Sequence, residues 1–425
     1  MNRQASWFFC RLWPLCAWLA SLLGAAAIVP ADAGPVLERV TTIAPFPRGL
    51  VMLDGELYVL CRGRVRDAGG VTAEVNDQAG AIYAVNPSIA EPADSPEVSE
   101  AVRNNGRVVT LPIEPPFKLW NRNADPPESD RATDRPYCTL RYHEPTKSFY
   151  LCAFSGIDKA PKPDGSSFSK NLTDALFRYD LRTKKWYEVE RHNIEAGGNY
   201  PHHDPKHRPP PHGWLNGPDN CLALGDWLYA VSKDNSRLVR YDLRAIAADP
   251  EAGPPPSECV MCEEVFVKGL GLQRFYGQSA LAYRDGWLYV GYRTSSVILR
   301  FRLDKDHLPV RPIRAELLAR FDPYDPQTKT SANLTDIGFD DRGRLYVISA
   351  MPGKLYRFTP DPKKAFDARD GRVAPWADLA ALSGRAGLKS ENVLCHGDYV
   401  YVTTGDGYGY QQGADGTVYR LRIGD

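Results

Sequence analysis

Residues 220–231 read NCLALGDWLYAV. Apolar residues crowd both sides of Gly225-Asp226, a pair that turns readily. The segment therefore reads as a β-hairpin: a short strand, a tight turn and a second strand carrying an aromatic pair. The same pattern returns five times more. GLVMLDGELYVL starts at Gly49, CTLRYHEPTKSFYLCA at Cys138, SALAYRDGWLYVG at Ser279, DIGFDDRGRLYVI at Asp336 and NVLCHGDYVYVT at Asn392. One tyrosine marks the second strand of each copy: Tyr58, Tyr150, Tyr229, Tyr289, Tyr346 and Tyr401.

Each hairpin is followed by a third strand: AIYAV from Ala81, LFRYDL from Leu176, LVRYDL from Leu238, ILRFRL from Ile298, KLYRF from Lys354 and TVYRLRI from Thr417. A weaker fourth follows in most units: RVVTLPI from Arg107, KWYEVE from Lys185, EEVFVK from Glu263, AELLARF from Ala315 and VAPWADL from Val373. Four antiparallel strands repeated six times give an all-β fold, a six-bladed β-propeller. Aromatic and β-branched residues suit sheets covered on both faces. The sixth unit stops after its third strand, while VLERVTTIA from Val36 lacks a hairpin partner. That segment is expected to supply the missing strand and close the ring, which removes an exposed sheet edge.

The chain has 425 residues with 52 basic and 52 acidic side chains. This balance gives no reason to expect nucleic acid as a partner. Arg3 and Arg11 precede an apolar run over residues 12–29, and Ala31 and Ala33 follow. That is the order of a secretory signal. Residues 1–33 are expected to be cleaved after Ala33, leaving residues 34–425 as one propeller domain, exported to a periplasmic or extracellular space. The alternative is an uncleaved anchor, since the run is about long enough to span a bilayer. No second such run follows, so the mature chain is not expected to span a membrane, and a monomer is expected. Seven cysteines follow residue 33. Cys259 and Cys262 form a lone C-x-x-C, read as a local disulfide or two buried thiols. No histidine follows it, so no haem is expected. Cys138 and Cys152 flank one hairpin and could bridge if the register sets them opposite.

In a propeller the residues that begin the innermost strands converge on the central channel. Alignment of the six copies gives one ring of Arg48, Tyr137, Asp219, Gln278, Leu334 and Glu391. The next is Gly49, Cys138, Asn220, Ser279, Thr335 and Asn392, with Asp336 immediately after in blade five. Most of these are polar, which a packed core does not need. Asp219, Asn220, Asp336, Glu391 and Asn392 are the donor types of a hard-cation site, Ca²⁺ or another divalent ion. The same groups could instead bind channel water and cap strand ends.

The copies NGPDNCLALGDWLYAVSKDNSRLVRYDL and NLTDIGFDDRGRLYVISAMPGKLYRFTP resemble blades of the gluconolactonase and strictosidine-synthase superfamily, and of NHL-type propellers. The resemblance spans most of the mature chain, and its motifs mainly encode blade geometry. It implies a divalent metal held by Glu, Asn and Asp at innermost-strand starts. Pro218-Asp219-Asn220 resembles the family's Pro-Asp-Gly turn. Pro47-Arg48-Gly49 departs from it, placing a cation where an acidic ligand belongs. Two function classes follow. In one, the chain hydrolyses a lactone or ester: a metal polarises the carbonyl, Glu391 or Asp219 activates water, and Arg48 holds an anionic group or an oxyanion. In the other it is a non-enzymatic propeller that binds a small molecule, protein or glycan at the channel mouth.

The early blades carry insertions, at residues 118–136, 156–174 and 201–220. The last reads PHHDPKHRPPPHGWLNGPDN. His203, His207 and His212 are read there as an access loop over the channel, with His203 or His212 a candidate acid or base. Prolines forbid a helical metal motif. GDGYGYQQGADG, from Gly405, has no helix after it, so it is a hairpin connection and no nucleotide is expected.

Overall fold

The structure is a computed structural model that describes residues 34–42, 47–63, 79–112, 137–154, 157–158, 170–171, 173–193, 218–232, 237–261, 278–293, 295–321, 333–350, 353–363, 372–385, 388–406 and 416–424. In the hairpin quoted above, Pro218–Leu224 pairs antiparallel with Trp227–Ser232, and Leu224 faces Trp227 across the turn. Gly225 sits at φ 57°, where a side chain is disfavoured. Leu238–Asp242 and Ser257–Met261 complete the sheet outward. The other copies do the same, and the described strands form six antiparallel blades.

The innermost strands are Pro47–Leu53, Tyr137–His143, Pro218–Leu224, Gln278–Arg284, Leu334–Phe339 and Leu388–His396. Each packs on the next, and the last packs on the first, so the ring closes. Blade six takes its outermost strand from the N-terminal side, as expected. Leu37–Thr41 pairs with Thr417–Arg422, Leu37 opposite Leu421, and Glu91–Pro92 covers its outer edge. Val36–Asp425 is one compact unit. Among the described residues no helix is long and apolar enough to cross a membrane.

One strand differs from the expectation. The fourth strand of blade three is Ser257–Met261, with Leu238 opposite Met261. The run from Glu263, expected in that place, lies outside the described residues. Val260 and Met261 bury against blade four, which fixes this segment on the outer edge of the blade. Cys259 lies on this strand, and its Sγ donates to Met261 O. Cys138 does stand opposite Cys152, yet Cys152 is a free thiol, and Cys138 Sγ donates to Pro218 O at 3.4 Å.

The apolar runs are explained by what lies on each face of a blade. In Trp227–Ser232, Leu228 and Ala230 join the cluster shared with blade two, while Tyr229 and Val231 join the one shared with blade four. A strand alternates its side chains, so a segment covered on both sides must be apolar throughout. Six such clusters fill the six seams between neighbouring blades. The tyrosine of every hairpin points to the following seam. Gly49 stands where blade one meets blade two: a Cβ there would lie 2.4 Å from the Leu140 nitrogen.

The register also shows a repeat feature that the sequence reading passed over. Arg178, Arg240, Arg300, Arg357 and Arg420 of the third strands stand opposite Tyr150, Tyr229, Tyr289, Tyr346 and Tyr401. Each guanidinium also lies over an aromatic ring, from 4.1 Å to 4.6 Å away. Such stacking keeps a buried arginine attractively placed.

Two outcomes are expected. Deleting residues 34–42 removes Leu37 and Val40 from two seams and should cost about 3–6 kcal/mol by the burial of those side chains alone; an unchanged melting temperature would contradict ring closure by this strand. His143 is buried, its Nε2 2.6 Å from Gly225 O of the next blade. Burial pushes its pKa below 6.5, and the Gly225 carbonyl only partly offsets this. The folded state therefore holds its proton less tightly than the unfolded one. That contribution to stability is intact above pH 6.5 and is lost as pH falls toward the depressed folded value. Melting curves of wild type and His143→Gln between pH 7.5 and about 5 should diverge with this sign.

Candidate functional site

Asp336 is fully buried at the start of blade five's innermost strand. Its Oδ1 accepts from Arg141 Nη2 at 2.9 Å and from Asn220 Nδ2 at 2.8 Å. Its Oδ2 accepts from Asn392 Nδ2 and the Val393 amide, both at 3.2 Å. Arg141 belongs to blade two, which lies opposite blade five in a ring of six, so its side chain crosses the central axis. The guanidinium also donates to Asn220 Oδ1 at 3.1 Å and to the carbonyls of Cys221 and Leu140. A buried carboxylate is stable only when its charge and lone pairs are matched, and here both are.

A second charged layer lies toward the strand starts. Arg48 Nη1 contacts Glu391 Oε2 at 2.6 Å, joining blades one and six. Arg293, at the end of blade four's second strand, lies 3.6 Å from Asp219 Oδ2 and 3.8 Å from Glu391 Oε2. Its Nε donates to Asn333 Oδ1 at 2.9 Å. One arginine thus reaches blades three, five and six. Lys389 stands two residues before Glu391. Burial lowers its pKa, with Glu391 favouring the charged form and Arg48 opposing it. Arg48 and Glu391 are 16% and 14% exposed, so this layer is shielded yet reachable from solvent.

Each innermost strand carries a bulge here, which lifts side chains out of the ladder and aims them inward. Counted from the residue opposite each hairpin tyrosine, Arg48, Asp219 and Glu391 are level, as expected. Their neighbours in blades two, four and five are Cys138, Ser279 and Thr335, not Tyr137, Gln278 and Leu334. The next level holds Gly49, Asn220 and Asn392 as expected, but with Thr139, Ala280 and Asp336. The hairpin turns differ in length, and a count from the turns slips by one residue. The ring hydroxyls are structural: Thr139 Oγ1 donates to Asp219 O, and Ser279 Oγ to Leu334 O, each tying one blade to the next.

The structure therefore unites Asn220, Asp336 and Asn392 in one network, and Arg48, Asp219 and Glu391 in another. His203, His207 and His212 lie outside the described residues. Arg141, Arg293 and Lys389 were not singled out from sequence. Arg141 had a signal: at its position the other copies carry Val51, Leu222, Ala282, Gly338 and Leu394. A lone charge in an apolar column of the repeat marks a buried ion pair.

The donors do not fit a hard cation as arranged. All four lone-pair directions of Asp336 are taken, and Arg141 holds the central place where a divalent ion would sit. Glu391 and Asp219 are paired with arginines. Among the described residues no group of three or more His, Cys, Asp or Glu could hold a metal. One buried acceptor is left over: Asn392 Oδ1 has no donor among the described residues.

No protein-family model matches the chain, and neither does any curated protein sequence. Solved structures similar to it include the PQQ-bound aldose sugar dehydrogenase of Streptomyces coelicolor, at 14% identity over 92% of this chain and 98% of that one, TM-score 0.43. Virginiamycin B lyase of Staphylococcus aureus is similar at 10% identity over 91% and 98%, TM-score 0.42. At such identities and scores they assign no chemistry to this chain.

If Asp336 and Arg141 form one unit, removing one partner strands the other in the core. Asp336→Ala should cost about 3–5 kcal/mol in chemical denaturation, and Asp336→Ala with Arg141→Met less than that single change. A cost for Asp336→Ala below about 1 kcal/mol would show that the pair is not a buried brace.

Proposed function

We propose that the chain is an exported six-bladed propeller that binds a small molecule at the mouth of its central channel without a metal ion. The observation that carries this reading is the Arg141 guanidinium on Asp336. It fills the axis below the mouth and leaves the charged layer of Arg48, Asp219, Arg293, Lys389 and Glu391 as the floor of a shallow site. Pre-paired charges of both signs, shielded but reachable, give fixed hydrogen-bonding groups around an otherwise apolar scaffold. Export rests on the leader pattern of residues 1–33.

A metal-dependent lactone or ester hydrolase is the second reading. The leftover Asn392 Oδ1 beside Asn220 and Asp336 favours it. It requires Arg141 to leave Asp336, which strands a guanidinium in the core, and for that reason it ranks second.

A thermal-shift screen of the purified mature chain against sugars, lactones, amino acids and organic acids tests the first reading. At least one compound should raise the melting temperature of wild type and not of Arg293→Met. Ca²⁺, Mn²⁺ and Zn²⁺ should leave the melting temperature unchanged. Metal-dependent stabilisation with turnover of a lactone or ester would reverse the ranking. The mature N-terminus, read by mass spectrometry, should be Gly34; an intact Met1 would contradict cleavage.

A further inference from the structure

Cys138 and Cys152 are ladder partners in the hairpin of blade two, the one such pair of cysteines among the described residues. Directly opposed residues of an antiparallel pair have Cα atoms about 4.5–5.5 Å apart. That lies inside the range of about 4.4–6.8 Å that a disulfide spans. Opposed side chains share one face of the sheet, and both thiols enter the same seam, between blades two and three. In this structure both are reduced. Cys138 Sγ donates to Pro218 O at 3.4 Å and lies 3.8 Å from Cys152 O.

The seam decides when they can react. Cys138 is buried, and Cys152 has no exposed surface. Burial pushes the Cys152 thiol up, which suppresses the thiolate that attacks a disulfide. Exchange therefore has to precede the packing of blade three on blade two. The hairpin allows this, because its two cysteines are 14 residues apart and meet as soon as the turn closes. Cys221 enters the same seam, but it comes from blade three and reaches the pair only when the blades pack.

We propose that Cys138 and Cys152 form a disulfide as the exported chain folds, a covalent staple across the hairpin of blade two. The oxidant is itself a disulfide, of a protein or of glutathione. One cysteine thiolate attacks it and releases a thiol; the second thiolate then displaces the other thiol from the mixed disulfide. The two S–H protons end on the two released thiols. The staple lies one residue before Thr139, a β-branched residue at φ 62°, and three before Arg141. A slip of register there would turn Arg141 away from the axis, and the bond pins that register. It removes the S–H that Pro218 O accepts, while Thr139 Oγ1 still holds the adjoining Asp219 O. The proposal rests on the export reading, since a reducing cytosol keeps thiols unpaired; refolding tests the pairing without it.

The test is peptide mapping by mass spectrometry, with free thiols alkylated and no reduction. It is run on the chain made with its own leader, and on the chain reduced in denaturant and refolded in a glutathione buffer. Both should hold one peptide pair joined through Cys138 and Cys152, lighter by two hydrogens than the separate peptides. Refolding under dithiothreitol instead should lower the melting temperature of wild type by several degrees more than that of Cys152→Ser, which separates the bond from the packing of the side chain. Oxidised glutathione added to the reduced, folded chain should form the link far more slowly than it forms during refolding; equal rates overturn its formation ahead of seam closure. Both cysteines alkylated after refolding, or either one linked to Cys221, overturns the proposal. An equal loss of melting temperature in wild type and Cys152→Ser overturns the staple. A link present after refolding and absent from the chain made with its leader overturns export and leaves the pairing standing.

Discussion

The pair of Asp336 with Arg141 constrains everything else at the centre of this propeller. A buried carboxylate must be neutralised, and every propeller of this kind gathers strand starts around one axis. Here the neutralising cation is covalently part of blade two. Its reach across the axis ties opposite blades together and draws Asn220 and Asn392 into one hydrogen-bonded network with Asp336. A guanidinium fork can donate to several acceptors at once, which a lysine in the same place could not reproduce.

That constraint orders the layers above it. With the axis filled at the level of Asp336, polar chemistry is confined to the bulged starts of the innermost strands. There Arg293 does at the mouth what Arg141 does below, linking blades three, five and six. The bulges supply side chains to the axis, while the hydroxyls of Thr139 and Ser279 fasten blade two to blade three and blade four to blade five. Stability and site chemistry are thus drawn from consecutive residues of the same strands: Asp219 offers its carboxylate to Arg293 and its carbonyl to Thr139.

The blades were legible because a doubly covered sheet imposes apolar runs on every copy, and turn pairs such as Gly225-Asp226 punctuate them. Ring closure by residues 37–41 was legible because a strand was missing at one end and spare at the other. The site was legible only in part. Arg48, Asp219 and Glu391 were found at their level, whereas Asp336 was placed one residue late, since a bulge and unequal turns shift the register without leaving a mark in the pattern. Which charges pair could not be read, because the partners come from opposite blades: residues 141 and 336 are brought together by ring closure alone. The column of apolar residues interrupted by Arg141 was the one available clue. Arg293 had none, lying past a strand end where the copies diverge.

The account stands or falls on what occupies the axis. The most direct measurement is a crystal structure of the mature chain grown in millimolar CaCl₂, refined around Asp336. The guanidinium of Arg141 should lie within hydrogen-bonding distance of Asp336 and Asn220, with no ion between them. A divalent ion bound to Asp336, Asn220 and Asn392, with Arg141 turned away, would contradict it.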